Sequence, residues 1–202
     1  MSRSGTASRG GPAKGGARRA RVLGRRATAR WSAAPLTSAP GLEAALDTGT
    51  SADDQVLPTG HLWTAQTVAL ARRDLDGAAA DLFRWQPQLA SGLRVRSSDL
   101  PLRVGTVVVL RLGVGPLALR IPCRVTDVVD EPDRVGFTYA TLPGHPVSGV
   151  ERFSVERGED GTLRFTVAAV SALASVPARC LPGLARRVQV WMVGRYLAGL
   201  DR

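Results

Sequence analysis

The chain has 202 residues, with 27 Lys and Arg against 17 Asp and Glu, a formal charge of +10. A hydrophobic fraction of 44% excludes a wholly disordered chain. No apolar run reaches the ~18–20 residues that span a bilayer, and two cysteines, Cys123 and Cys180, exclude a disulfide scaffold and fit a reduced, cytoplasmic setting.

Residues 1–31 hold nine cations and no acid, so the remainder is nearly neutral, with 18 positive and 17 negative side chains. Residues 1–55 mix Gly, Ala, Ser and Arg without a sustained apolar period, which predicts a disordered basic extension. Four readings of it compete: a silent tail, a gene start placed too far upstream, an organelle transit peptide, and an arm for nucleic acid or another anionic surface.

The texture turns globular at residue 56, and residues 56–202 are expected to form a single domain. His61–Arg73 alternates as a first strand. Asp74 or Asp76 can cap a helix through Ala78–Trp85, which Pro87 is expected to stop; Gln86–Ser91 reads as polar connection. Gly92–Arg96 and Thr106–Leu112 are extended, and Gly113–Pro116 is a turn. Leu117–Val129 follows with period two, placing Leu117, Leu119, Ile121, Cys123 and Val125 on one face and Arg120 and Arg124 on the other. Strands over Arg134–Thr141, Gly149–Arg157 and Thr162–Ser171 complete the set, with a hairpin signal at Glu159–Gly161. The chain closes on a helix from Pro182, whose Leu184, Val188, Trp191, Met192 and Tyr196 repeat at three-or-four spacing. Short connections imply antiparallel neighbours, and an apolar sheet face must be covered. The expected fold is α+β: a curved antiparallel sheet of about six to seven strands gripping a long C-terminal helix, the helix-grip arrangement of START and birch-pollen-allergen (Bet v 1)-like domains. A two-layer sandwich without a cavity shares this pattern.

The segment Tyr139-Ala-Thr-Leu-Pro-Gly-His-Pro-Val-Ser-Gly-Val-Glu-Arg-Phe153 resembles the signature Y-G-T-L-P-G-H-P-E-S-G-E-E-x-F of domain-of-unknown-function family nineteen-ninety, found in bacteria and plants. Leu102–Gly105, Pro122–Val125 and Asp130–Pro132 ahead of Gly136-Phe137 add to the resemblance, which covers about 56–200. The chain departs from it at Ala140, Val147 and Val150, so of the carboxylates in that stretch it keeps Glu151. The resemblance implies the fold and brings no activity with it.

His145, in a Pro- and Gly-flanked loop, is the candidate acid–base residue, with Tyr139 or Glu151 as partners; the competing role is a rigid turn in which His145 bonds local backbone. Arg120 and Arg124 are candidates for holding a carboxylate or phosphate at a pocket mouth, against a solvated strand face. Trp191 is a candidate ligand-lining residue, against plain packing. Cys123 reads as core. No phosphate loop, zinc motif, nucleophile elbow or dinucleotide fingerprint occurs, so no metal or cofactor is expected. The leading expectation is a domain binding an apolar or amphipathic small molecule between sheet and last helix. The alternatives are a small-molecule enzyme built on His145, Tyr139 and Glu151, and anion binding through residues 1–31.

Overall fold

The computed structural model describes residues 18–47, 57–115, 118–174 and 182–201. Three elements lie in the N-terminal extension: strand β1 (Arg21–Val22) and helices α1 (Arg25–Ser32) and α2 (Ala44–Asp47). They are followed by β2 (Leu62–Ala69), α3 (Leu75–Leu82), α4 (Gln86–Ala90), β3 (Arg94–Ser97), β4 (Val107–Leu112), β5 (Leu119–Asp130), β6 (Arg134–Thr141), β7 (Val147–Arg157), β8 (Leu163–Leu173) and α5 (Pro182–Leu197). The strands form one curved sheet in the order β1-β3-β4-β5-β6-β7-β8-β2. Every neighbour is antiparallel except the two-residue β1, which lies parallel to β3. That short strand raises the count to eight. The consecutive hairpins from β3 to β8 follow from their short connections, and β2 returns to pair with β8, with Leu62 opposite Ser171 and Val68 opposite Phe165.

Two layers cover the sheet. On the inner face, Val95, Val108, Leu110, Cys123, Val125, Phe137, Tyr139, Phe153, Phe165 and Val167 pack under α3, α4 and α5. β5 keeps its alternation there until a bulge between Val125 and Asp127 shifts the register, so that Val128 stands opposite Phe137. Leu119 is largely exposed, because the apolar face of this strand narrows toward its free end, and Leu117 lies outside the described residues.

The outer face is covered by the extension. Leu23 packs with Val107, Val109 and Leu142. Leu42 and Leu46 pack with Ala140, Val150, Ala168 and Val170. Thr37 pins the segment to the sheet: its N–H donates to the Thr141 carbonyl at 2.9 Å and its hydroxyl lies 2.7 Å from that of Thr141, while Ser148 donates to the Thr37 carbonyl. Residues 18–47 of the extension are thus seated on the sheet. A few scattered leucines carry no period, yet each buried Leu contributes about 1.5–3 kcal/mol once a complementary face exists. The rest of the expected extension, residues 1–17 and 48–55, lies outside the described residues.

The helix layer holds two further departures. Asp74 caps α3 as expected, accepting from the Gly77 N–H at 3.0 Å. Pro87 opens a second helix, however: it stands in the first turn of α4, where its missing N–H costs nothing. Trp85 makes the corner between the two helices in the left-handed region, at φ 68° and ψ 27°. Full burial against Phe137, at 5.1 Å between ring centroids, and an Nε1–H bond to Ser97 Oγ at 3.2 Å hold it there. On α5 the buried set is Met192, Val193, Tyr196 and Leu197, with Val188 and Trp191 facing outward, a face rotated by one position from the expected one. The side chain of Leu184 lies outside the described residues.

Candidate functional site

The inner sheet face is largely apolar and aromatic; besides Ser97 and Ser171, bonded by Trp85 and by Gln189 of α5, it carries a polar pair at its centre. β6 and β7 pair with Tyr139 opposite Glu151 and Phe137 opposite Phe153. The period of two therefore turns Tyr139 and Glu151 to the same inner side as the two phenylalanines. The Tyr139 hydroxyl donates to Glu151 Oε2. Rings flank Tyr139, which lies 5.6 Å from Phe153 and 6.5 Å from Trp85, and Phe153 meets Tyr196 of α5 edge-on at 5.4 Å; Glu151 beside it is half-buried.

These surroundings set the proton affinities. Burial lifts the Glu151 carboxyl from its ordinary 4.5 to about 7, and the Tyr139 hydrogen bond opposes the rise. The phenol of Tyr139 is pushed well up by burial, with Glu151's charge adding to it. Tyr196 is raised by burial and then by Glu151, with a hydrogen bond to Tyr139 pulling the other way. The Cys123 thiol, buried on the neighbouring strand, is likewise raised by burial and then by Glu151, so it is a protonated core residue and not a nucleophile. Glu151, Tyr139 and Tyr196 form a polar group inside an apolar layer, with a carboxyl poised to gain or lose a proton near neutrality. Gln88 of α4 is a second polar intrusion: it is fully buried, and neither its amide oxygen nor its nitrogen has a hydrogen-bond partner among the described residues.

The remaining candidates are placed elsewhere. His145 sits in the β6–β7 turn, and its Nδ1 lies 2.8 Å from the Val147 carbonyl and 3.1 Å from the Val147 N–H. Burial lowers its imidazole to about 4. It bonds backbone rather than Tyr139 or Glu151, so the three residues do not assemble into one constellation. Arg124 turns to the outer face, where its Nη2 donates to the carbonyls of Trp31, Ser32 and Ala34 at 2.7, 2.8 and 2.5 Å, closing the C-terminal end of α1. Arg120 is exposed on that face opposite Arg111. Trp191 is 50% exposed, with the Arg195 guanidinium 5.0 Å from its ring centroid.

The fifteen-residue stretch from Tyr139 to Phe153 now has a physical reading. Tyr139, Glu151 and Phe153 supply inner-face side chains. Gly144, at φ 93°, makes the turn. Gly149 lies so close to β8 that a Cβ there would meet the Val170 carbonyl oxygen at 2.1 Å and the Ser171 Cα at 2.7 Å. Ala140 and Val150 pair across the outer face under Leu42 and Leu46, which accounts for apolar residues at those two positions. Gln88 and Tyr196 were missed as polar members. Tyr196 reads as one of several apolar-face residues of a helix, and nothing local marks Gln88 as buried.

Known proteins share parts of this chain. A UPF0548 protein of Deinococcus radiodurans is 42% identical over 85 residues, which span 39% of this chain and 43% of the relative; the chain thus matches less than half of that relative's length. Hypothetical protein jhp0584 from Helicobacter pylori has a similar fold, with a TM-score of 0.55 at 11% identity over 69% of this chain and 86% of that one. Major latex-like protein 151 from Panax ginseng gives a TM-score of 0.45 at 13% identity, covering 68% and 96%. No described helix is long and apolar enough to cross a membrane. Residues 45–199, which take in every inner-face strand, the Tyr139–Glu151 pair and the helix over it, match the family described as Domain of unknown function (DUF1990), and the chain belongs to that family.

Proposed function

We propose that this domain binds one apolar or amphipathic small molecule between the inner sheet face and α5, with Glu151 and Tyr139 as its polar anchor. The observation that carries the reading is a half-buried carboxyl group, hydrogen-bonded to Tyr139 on a largely apolar and aromatic face and lifted to about 7. Placing a carboxyl against an apolar layer costs stability unless it is neutral, paired or hydrogen-bonded, and a ligand head is one such partner. Phe137, Phe153 and Phe165 are fully buried, so the ligand enters by displacing α5 side chains, Met192 and Val193 before Tyr196. A polar head then meets Glu151 and Tyr139, while the apolar body replaces contacts that α5 makes with the sheet.

The test uses the full-length protein, anilinonaphthalene sulfonate as reporter and dodecanoate as competitor. Saturable one-site dye uptake, displaced by dodecanoate more strongly at pH 6 than at pH 8, is the expected result, because an ionised Glu151 repels a carboxylate. In Glu151→Gln the difference between the two pH values should vanish. A protein that takes up no dye and no dodecanoate at either pH has a filled core and no such site.

A further inference from the structure

Arginines converge on a second place, along the edge of β3. A cleft of about 650 Å³ lies there between the N-terminal segment and the sheet. Arg18, Arg19 and Arg21 line one wall, Arg94 and Arg96 of β3 and Arg111 of β4 the other, and no carboxylate is among the lining residues. The pairing of β1 with β3, Arg21 beside Arg96, and of β3 with β4, Arg94 beside Arg111, is what gathers charges from three parts of the sequence. Leu89, Leu93 and Val95, buried or nearly so, complete the lining with apolar atoms.

Little among the described residues neutralises these cations. Arg18 donates to the Gly92 carbonyl at 2.9 Å and Arg111 to the Gly115 carbonyl at 3.1 Å. Arg111 Nε is buried without a partner, and Arg19, Arg21, Arg94 and Arg96 make no side-chain hydrogen bond or ion pair among the described residues. Six like charges around one concavity repel one another, and an anion there removes that cost while using guanidinium forks that match phosphate oxygens two at a time. The volume suits a small molecule, and the apolar atoms in the lining suit an apolar or planar body.

We infer that this cleft binds a small molecule carrying two or more phosphate groups on an apolar or aromatic body. The site is independent of the one over Glu151, since it uses other residues and another region of the sheet.

Calorimetric titration of the full-length protein with inorganic tripolyphosphate tests it. One-to-one binding is expected, weakened by salt and lowered at least about tenfold in Arg94→Gln/Arg111→Gln and again in Arg18→Gln/Arg19→Gln/Arg21→Gln. Arg187→Gln, an exposed charge outside the cleft, should bind as the wild type does. Phosphatidylcholine vesicles doped with phosphatidylinositol bisphosphate identify the source of the phosphates: capture that the Arg94→Gln/Arg111→Gln variant loses assigns a lipid headgroup, and no capture assigns a free metabolite. Absence of tripolyphosphate binding overturns the inference. So does an equal loss in Arg187→Gln, or a single-stranded oligonucleotide bound at least as tightly as tripolyphosphate and indifferent to the Arg94→Gln/Arg111→Gln change, since either reports net charge rather than a built cleft.

Discussion

Replacing Glu151 by Gln should stabilise the protein at alkaline pH and leave it nearly unchanged in mild acid. The carboxyl sits at about 7 in the fold against an ordinary 4.5. At about 1.4 kcal/mol for each tenfold change in proton affinity, its ionised form weakens the fold by about 3.5 kcal/mol relative to its neutral form. The sign follows from a raised carboxyl: the folded state holds the extra proton, so the contribution is fully present below pH 4.5 and is lost as pH rises through 7. Gln keeps an acceptor for the Tyr139 hydroxyl and never ionises. Urea unfolding of both proteins from pH 5 to pH 8.5, plotted as the difference between them, removes every other titrating group from the comparison. The difference should be below about 1 kcal/mol at pH 5 and reach about 3–3.5 kcal/mol in favour of Glu151→Gln at pH 8. A flat difference, or a variant less stable at pH 8, would show that Glu151 is solvated rather than enclosed, and the anchor assigned to it would fall.

Other residues give sharper local expectations. Gly149→Ala should cost about 3 kcal/mol or more in denaturant unfolding, because the new Cβ meets backbone at 2.1 Å and the strands must part; a loss below ~1 kcal/mol would mean that β7 and β8 are not this close. Arg124→Met should remove three bonds to the end of α1, a loss of about 1.5–3 kcal/mol, and speed amide hydrogen exchange over Arg25–Ala34 while β6 and β7 stay protected. Unchanged exchange there would detach α1 from the sheet. His145, lowered to about 4 by burial, stabilises the fold in its neutral form, and this contribution is lost as pH falls from 6.5 to 4. Glu151 acts in the opposite direction over much of that range, so the acid-side loss should be steeper in Glu151→Gln than in the wild type and shallower in Glu151→Gln/His145→Asn; parallel curves would remove His145 from the account.

Much of the fold was legible in the residues. Alternation placed β6 over the residues it occupies, and it turned Cys123 and Val125 inward and Arg120 and Arg124 outward. Each of these depends on a local period that any flat or curved sheet respects. Pro87 and Gln88 misled because a proline that cannot continue one helix is equally suited to begin another, and because a glutamine's burial depends on which helix crosses it. Trp191 misled for a related reason. Leu184, Val188, Trp191, Met192 and Tyr196 fit one stripe, but the sheet selects the stripe one step further round, where Val193 and Leu197 join Met192 and Tyr196.

By itself, the sequence determined the order of β2 to β8 with α3 and α5, the antiparallel connections, the uneven charge and the fifteen-residue stretch that resembles the family signature. Periodicity, turn chemistry and composition are all properties of neighbouring residues, so they are readable along the chain. Only the tertiary structure decided which polar groups meet. It joined Tyr139 to Glu151 across a ladder, left His145 to its own turn, spent Arg124 on a helix end, and brought arginines from residues 18, 96 and 111 to one cleft. Electrostatic environment depends on distance and enclosure in space, and neither is written in residue spacing. The charge of +10 therefore had to wait for β1 to pair with β3 before its location acquired a chemical meaning.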